Sequence, residues 1–195
     1  MGMHIGLIAV KASVARFRDA FNRAWPQCET VVAAGNFPDA NAIWAWKESH
    51  EEFVSAADWN KENPGKSVYV FWPAGPWAIM MDPDYTRATD EEGLQRLSAH
   101  VGTVLSFVVE SAGGSAFFWC AQDGKILRKI SNSDTDVSME GTPLPQEKGI
   151  DLRNYYMVET EALWNAFGLS PYEVMSSSEG CEAICVVDHT DYGVF

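Results

Sequence analysis

SAFFWCAQDGKILRKISNSDTDVSMEGTPLPQE, residues 115–147, is the most locally specific part of the chain. Residues 115–122 are apolar and aromatic, with Phe117, Phe118 and Trp119 adjacent. A continuous apolar run between turn signals predicts a strand covered on both faces. Asp123 and Gly124 supply the two positive-φ positions of a type I′ turn. Residues 125–130 return as the partner strand. Ile126, Arg128 and Ile130 are expected on one face, Leu127 and Lys129 on the other. Arg128 admits two readings. It can snorkel from an edge strand, or it can be buried and paired with a carboxylate, Glu140 or Glu147. Beyond the hairpin the sequence predicts a long acidic arm, closed by GTPLP at 141–145.

The order of hairpin, Asp-Gly turn, Arg128, acidic stretch and EGTPLPQE at 140–147 resembles bacterial domains of unknown function. Among these are single-domain immunity proteins of polymorphic toxin systems. WAIMMD at 77–82, Leu97-Ser98 and Glu110-Ser111 fit the same pattern, which spans roughly residues 70–170. The resemblance implies toxin neutralisation by binding and carries over no catalytic residue.

The flanking elements follow from periodicity. Residues 4–10 read as a central strand. Ser13 caps a helix to about Trp25, with Val14, Phe17 and Phe21 on its buried stripe. Residues 30–34 and 42–46 read as strands. SHEE at 49–52 is a capping box that predicts a helix to about residue 60. Residues 67–72 and 77–81 read as strands joined by PAGP, whose prolines argue against a two-residue hairpin. A capping box at 89–92 opens a helix that buries Leu94, Leu97 and Val101 and stops at Gly102. Residues 103–109 form a β-branched strand. Residues 159–167 are helical, a proline-led box at 170–173 opens a short helix, and residues 183–187 form the last strand. The expected class is α+β: one domain over residues 1–195, with a mainly antiparallel or mixed sheet and helices packed on it.

At 195 residues, 47% hydrophobic and 12% aromatic, the chain is expected to be globular. No apolar run reaches the roughly 18 residues of a membrane span. Together with the absence of a leader pattern, this predicts a cytoplasmic protein. Cys28, Cys120, Cys181 and Cys185 are expected to be buried, reduced thiols. The charge is polarised. Residues 131–195 hold 12 carboxylates against Lys148 and Arg153, or −10 of the total −13. Such a field disfavours nucleic acid and anionic membranes and favours a basic protein partner.

Catalytic patterns are weak. Asp82 and Asp84 lack a third ligand at coordinating spacing. Ser98 and His100 sit two apart on a helix, and no nucleophile elbow is present. Asp188-His189 is too common a pair to define a site. No metal or cofactor is expected. The expected function is a non-catalytic module binding a basic protein through Asp134, Asp136, Glu140, Glu147 and Asp151. The alternative is a small-molecule-binding protein or enzyme with an aromatic pocket of Trp72, Trp77 and Trp119, with Glu110 and Arg128 as its polar groups.

Overall fold

The computed structural model describes residues 4–53, 65–133, 136–169 and 179–190. Its strands are β1 (His4–Val10), β2 (Cys28–Gly35), β3 (Gly65–Ala74), β4 (Trp77–Met81), β5 (Val104–Glu110), β6 (Ser115–Gln122), β7 (Lys125–Ser133), β8 (Asp136–Gly141) and β9 (Glu182–Asp188). Its helices are α1 (Val14–Ala24), α2 (Ala40–Glu48), α3 (Glu91–Val101) and α4 (Met157–Ala166). The nine strands form one sheet in the order β2-β9-β3-β4-β1-β5-β6-β7-β8, and every pairing is antiparallel. The class is α+β. Among the described residues, no helix is long and apolar enough to cross a membrane.

Strand alternation builds two cores. In β1, Ile8 and Val10 face one core while Leu7 and Ala9 face the other. α1 and α3 close the first core with Phe17, Phe21, Leu94, Leu97 and Val101. α2 and α4 cover the opposite face, with Ile43, Leu163 and Trp164 in the second core. Gly6 lets the loop after β4 lie against β1, because a Cβ there would sit 2.5 Å from the Asp82 carbonyl oxygen.

Several expectations need correction. Residues 42–46, expected as a strand, lie in α2. The Asp39 carboxylate accepts from Ala42 N at 2.9 Å and caps this helix. Ile43 and Trp46, three residues apart, would point to opposite faces of a strand but share one face of a helix, and both pack on the second core. Ser49 is the C-cap of α2 rather than a helix start. Glu51–Phe53 form one 3-10 turn, and the rest of the helix expected to about residue 60 lies outside the described residues. The N-cap of α3 is Asp90, not Thr89. The short helix expected from residue 170 also falls outside the described residues.

The β3–β4 connection is a two-residue hairpin, since Ala74 pairs with Trp77. Gly75 has φ 58°, which suits the first position of a type II′ turn, and Pro76 follows it. Pro73 is tolerated because β9 pairs with β3 only as far as Phe71. The expected acidic arm is in part a strand, β8, which pairs with β7 from Ser133↔Asp136 to Arg128↔Gly141.

Candidate functional site

The site is built on the β6–β7 hairpin. Asp123 (φ 50°) and Gly124 (φ 82°) make its turn. One step in, the register shifts: Ala121 pairs with Ile126, but Cys120 pairs with Arg128. Leu127 is the extra residue of a β-bulge. Ile126 therefore packs with the first core, while Arg128 faces the opposite side beside Ile130. The expectation that Ile126 shares a face with Arg128 fails for this reason.

Arg128 is buried and its guanidinium grips Glu147 at both ends. Nε donates to Oε1 at 2.9 Å and Nη2 to Oε2 at 2.8 Å. Nη1 donates to the carbonyl oxygens of Glu140 and Gly141 at 3.3 and 3.2 Å. Glu147 Oε1 also accepts from Leu144 N at 2.8 Å. This is the buried-pair reading of Arg128, and the planar fork supplies the bidentate geometry. Gly141 has φ 83°, and a Cβ there would lie 2.0 Å from the Leu127 carbonyl oxygen, so the close approach of β8 to the bulge requires glycine.

The five carboxylates expected to meet a partner separate. Glu147 is 8% exposed and turned inward to Arg128. Asp151 is on the surface, but both of its oxygens accept from Arg153 at 2.7 Å, and these bonds hold its carboxyl down at about 2. Asp134 lies outside the described residues. Asp136 and Glu140 are exposed and make no ion pair with any described residue.

Register then sets what lies beside them. Glu140 is opposite Lys129, which is opposite Trp119; Ser138 is opposite Ser131, which is opposite Phe117. Directly opposed residues share a face. Trp119 and Phe117 are partly buried and pack against the first core. Lys129 stands 5.1 Å over the Trp119 ring and pairs with Glu91 of α3. The result is a strip of sheet with aromatic residues inside, serines between, and the carboxylates of Asp136 and Glu140 at its outer edge. A hollow of about 400 Å³ continues it between α3 and β7, lined by Glu91, Gln95, Lys125, Lys129 and Glu140.

The expected aromatic pocket does not assemble. Trp72 and Trp77 are 2% and 6% exposed in the second core. Trp119 is on the other face. Glu110 ends β5, where it accepts from Ala112 N at 2.8 Å and from the Tyr85 hydroxyl at 3.1 Å, and faces His4. The Ala112 N–H and His4 hold its carboxyl below the usual range. Ser98 links α3 to the hairpin turn, accepting from Gly124 N at 2.9 Å and donating to the Gln95 carbonyl. Asp188 is buried while His189 is exposed beside Glu29.

A buried polar cluster assembles from residues that no sequence motif links. Asp82 is fully buried; its Oδ2 accepts from Arg87 N and Ala88 N, both at 2.7 Å, and its Oδ1 has no hydrogen-bond partner among the described residues. Burial pushes its carboxyl up to about 6, against the pull of those two N–H groups and the Arg87 charge. Arg87 pairs with Asp188 and donates through Nε to the Tyr69 hydroxyl at 3.3 Å. Asp188 also accepts from the Thr190 hydroxyl at 2.6 Å. None of Tyr69, Asp82, Arg87 and Asp188 is more than 5% exposed. Closed in this way, the cluster ties β3, β9 and the β4–α3 loop together. No sequence signal marked Arg87, because a polar loop between Asp84 and Asp90 is where solvated arginines are ordinarily found. Among the described residues, no group of three or more His, Cys, Asp or Glu could hold a metal ion.

In comparisons with models of protein families, with curated proteins and with solved structures, the chain matches none.

Proposed function

We propose that the chain is a non-catalytic protein-binding module that takes a basic protein on its acidic sheet end, with toxin neutralisation as the concrete form. The observation that carries this is the placement of Asp136 and Glu140: exposed, without ion pairs to described residues, and on the last strand of the sheet. Of the 12 carboxylates in residues 131–195, Glu147, Glu182 and Asp188 are paired with Arg128, Arg18 and Arg87, and the remainder add a long-range field of the same sign. Such a field speeds the encounter with a basic protein, and salt weakens it. Phe117 and Trp119 on the same face supply partly buried rings of the kind that anchor interfaces. The resemblance to immunity proteins of toxin systems points the same way. Reversing both charges, Asp136→Lys with Glu140→Lys, tests it: association with the basic partner slows at least tenfold at low salt and loses most of its salt dependence. Unchanged kinetics at low salt would remove this strand from the interface.

A further inference from the structure

We propose that the partner docks by adding an extended basic segment to the outer edge of β8, which pairs with no described strand other than β7. This rests on the reading above and specifies how that surface is used. The two ends of the sheet are built differently. β2, at one end, carries a register shift between Thr30 and Val32, leaving Val31 as a bulge. Bulges blunt an edge against further pairing. β8, at the other end, pairs with β7 without a shift from Asp136 to Gly141 and contains no proline. A regular edge strand of this length presents about 20 Å of alternating N–H and C=O groups. The edge is also held in place, since Arg128 binds the Glu140 and Gly141 carbonyl oxygens from the side of β7. A preordered edge spares the ordering cost of binding.

The side chains select the occupant. Asp136, Ser138 and Glu140 share one face; Val137 and Met139 share the other. A second copy of β8 in antiparallel pairing centred on Ser138 would place each Asp136 opposite a Glu140. Parallel pairing would place like residues side by side. Both arrangements set carboxylate against carboxylate, which is unfavourable. A foreign segment with Lys or Arg at positions i and i+4 meets both carboxylates with opposite charge. Apolar residues at its intervening positions meet Val137 and Met139, the latter 46% exposed. The competing reading is that the two carboxylates only guard the edge against self-association.

The test uses the full chain and synthetic peptides. The probe is a capped nine-residue peptide of alternating threonine and valine with arginine at its third and seventh positions. A second peptide has glutamate in place of arginine. Two more carry N-methyl groups on one or the other alternate set of amides. The expected result has four parts. The arginine peptide binds at least tenfold more tightly than the glutamate peptide. One N-methyl set abolishes binding and the other does not. Hydrogen exchange slows at residues 136–141. Asp136→Lys with Glu140→Lys reverses the peptide preference. Arginine-peptide binding that survives both N-methyl sets, with no added protection in residues 136–141, overturns strand addition and leaves acidic docking standing. Absence of binding at millimolar peptide also overturns it, in favour of the guarding role. Equal binding of arginine and glutamate peptides, unchanged by the charge reversal, overturns the acidic docking reading itself.

Discussion

Asp82 shows what burial does to a single residue. Its carboxyl titrates near 4 in an unfolded chain and at about 6 in the fold, with burial as the main cause. Between those values the folded state holds a proton that the unfolded state has released. Stability from this group therefore grows as pH falls from 7 through 6 and is lost as pH rises. Asp82→Asn keeps a carbonyl acceptor for Arg87 N and Ala88 N and removes the titration. In urea denaturation, wild-type stability relative to Asp82→Asn should rise by roughly 2–3 kcal/mol between pH 7 and pH 4. A difference that stays flat over that range would contradict the assignment. Arg128 and Glu147 call for a different experiment. Glu147→Ala leaves a buried guanidinium without its carboxylate and should cost about 3–5 kcal/mol, whereas the double change Arg128→Met with Glu147→Leu should cost far less. Equal losses in the two denaturation curves would show that the pair matters only through packing. Arg128 was legible in part: its place beside Ile130 and the nearby carboxylates made a buried pair one of two readings, while the bulge that parts it from Ile126 left no mark in the sequence. Arg87 and Asp188 are 101 residues apart, and nothing local links them.

At the scale of elements, packing overrules propensity at the start of α3. Alanine is a better helix former than glycine by about 1 kcal/mol. At position 93, however, a Cβ would lie 2.1 Å from the Trp25 indole nitrogen, which donates to the N-cap residue Asp90 at 2.7 Å. Gly93→Ala should therefore lower the thermal midpoint, and a raised midpoint would mean that Trp25 can move aside at little cost. The same competition explains which elements could be read from sequence. β1, α1, β5, β6, α3 and β9 have long apolar patterns with clear caps or turns. α2 is too short for its pattern to separate a helix from a strand. β8 is polar on one face and exposed at its edge, so only pairing with β7 makes it a strand. The bulge at Leu127 changes a face without changing composition, and no residue type announces it.

On the scale of the whole molecule, sheet order decides where the charge lies. The sequence supports an α+β class and locates the carboxylates, but it cannot say that β7 and β8 end the sheet. That follows from nonlocal pairings such as β1 between β4 and β5 and β9 between β2 and β3. Those pairings leave Asp136 and Glu140 on an outer strand while turning Glu147 inward. Docking of a basic protein on this strand is tested by a paired capture from a lysate of the source organism. Wild-type protein and the Asp136→Lys, Glu140→Lys variant serve as baits at low salt, with mass spectrometry of what elutes as salt rises. One basic protein should be retained by the wild type, released by salt and absent from the variant. Retention of the same protein by both baits, or of no specific protein by either, would contradict it.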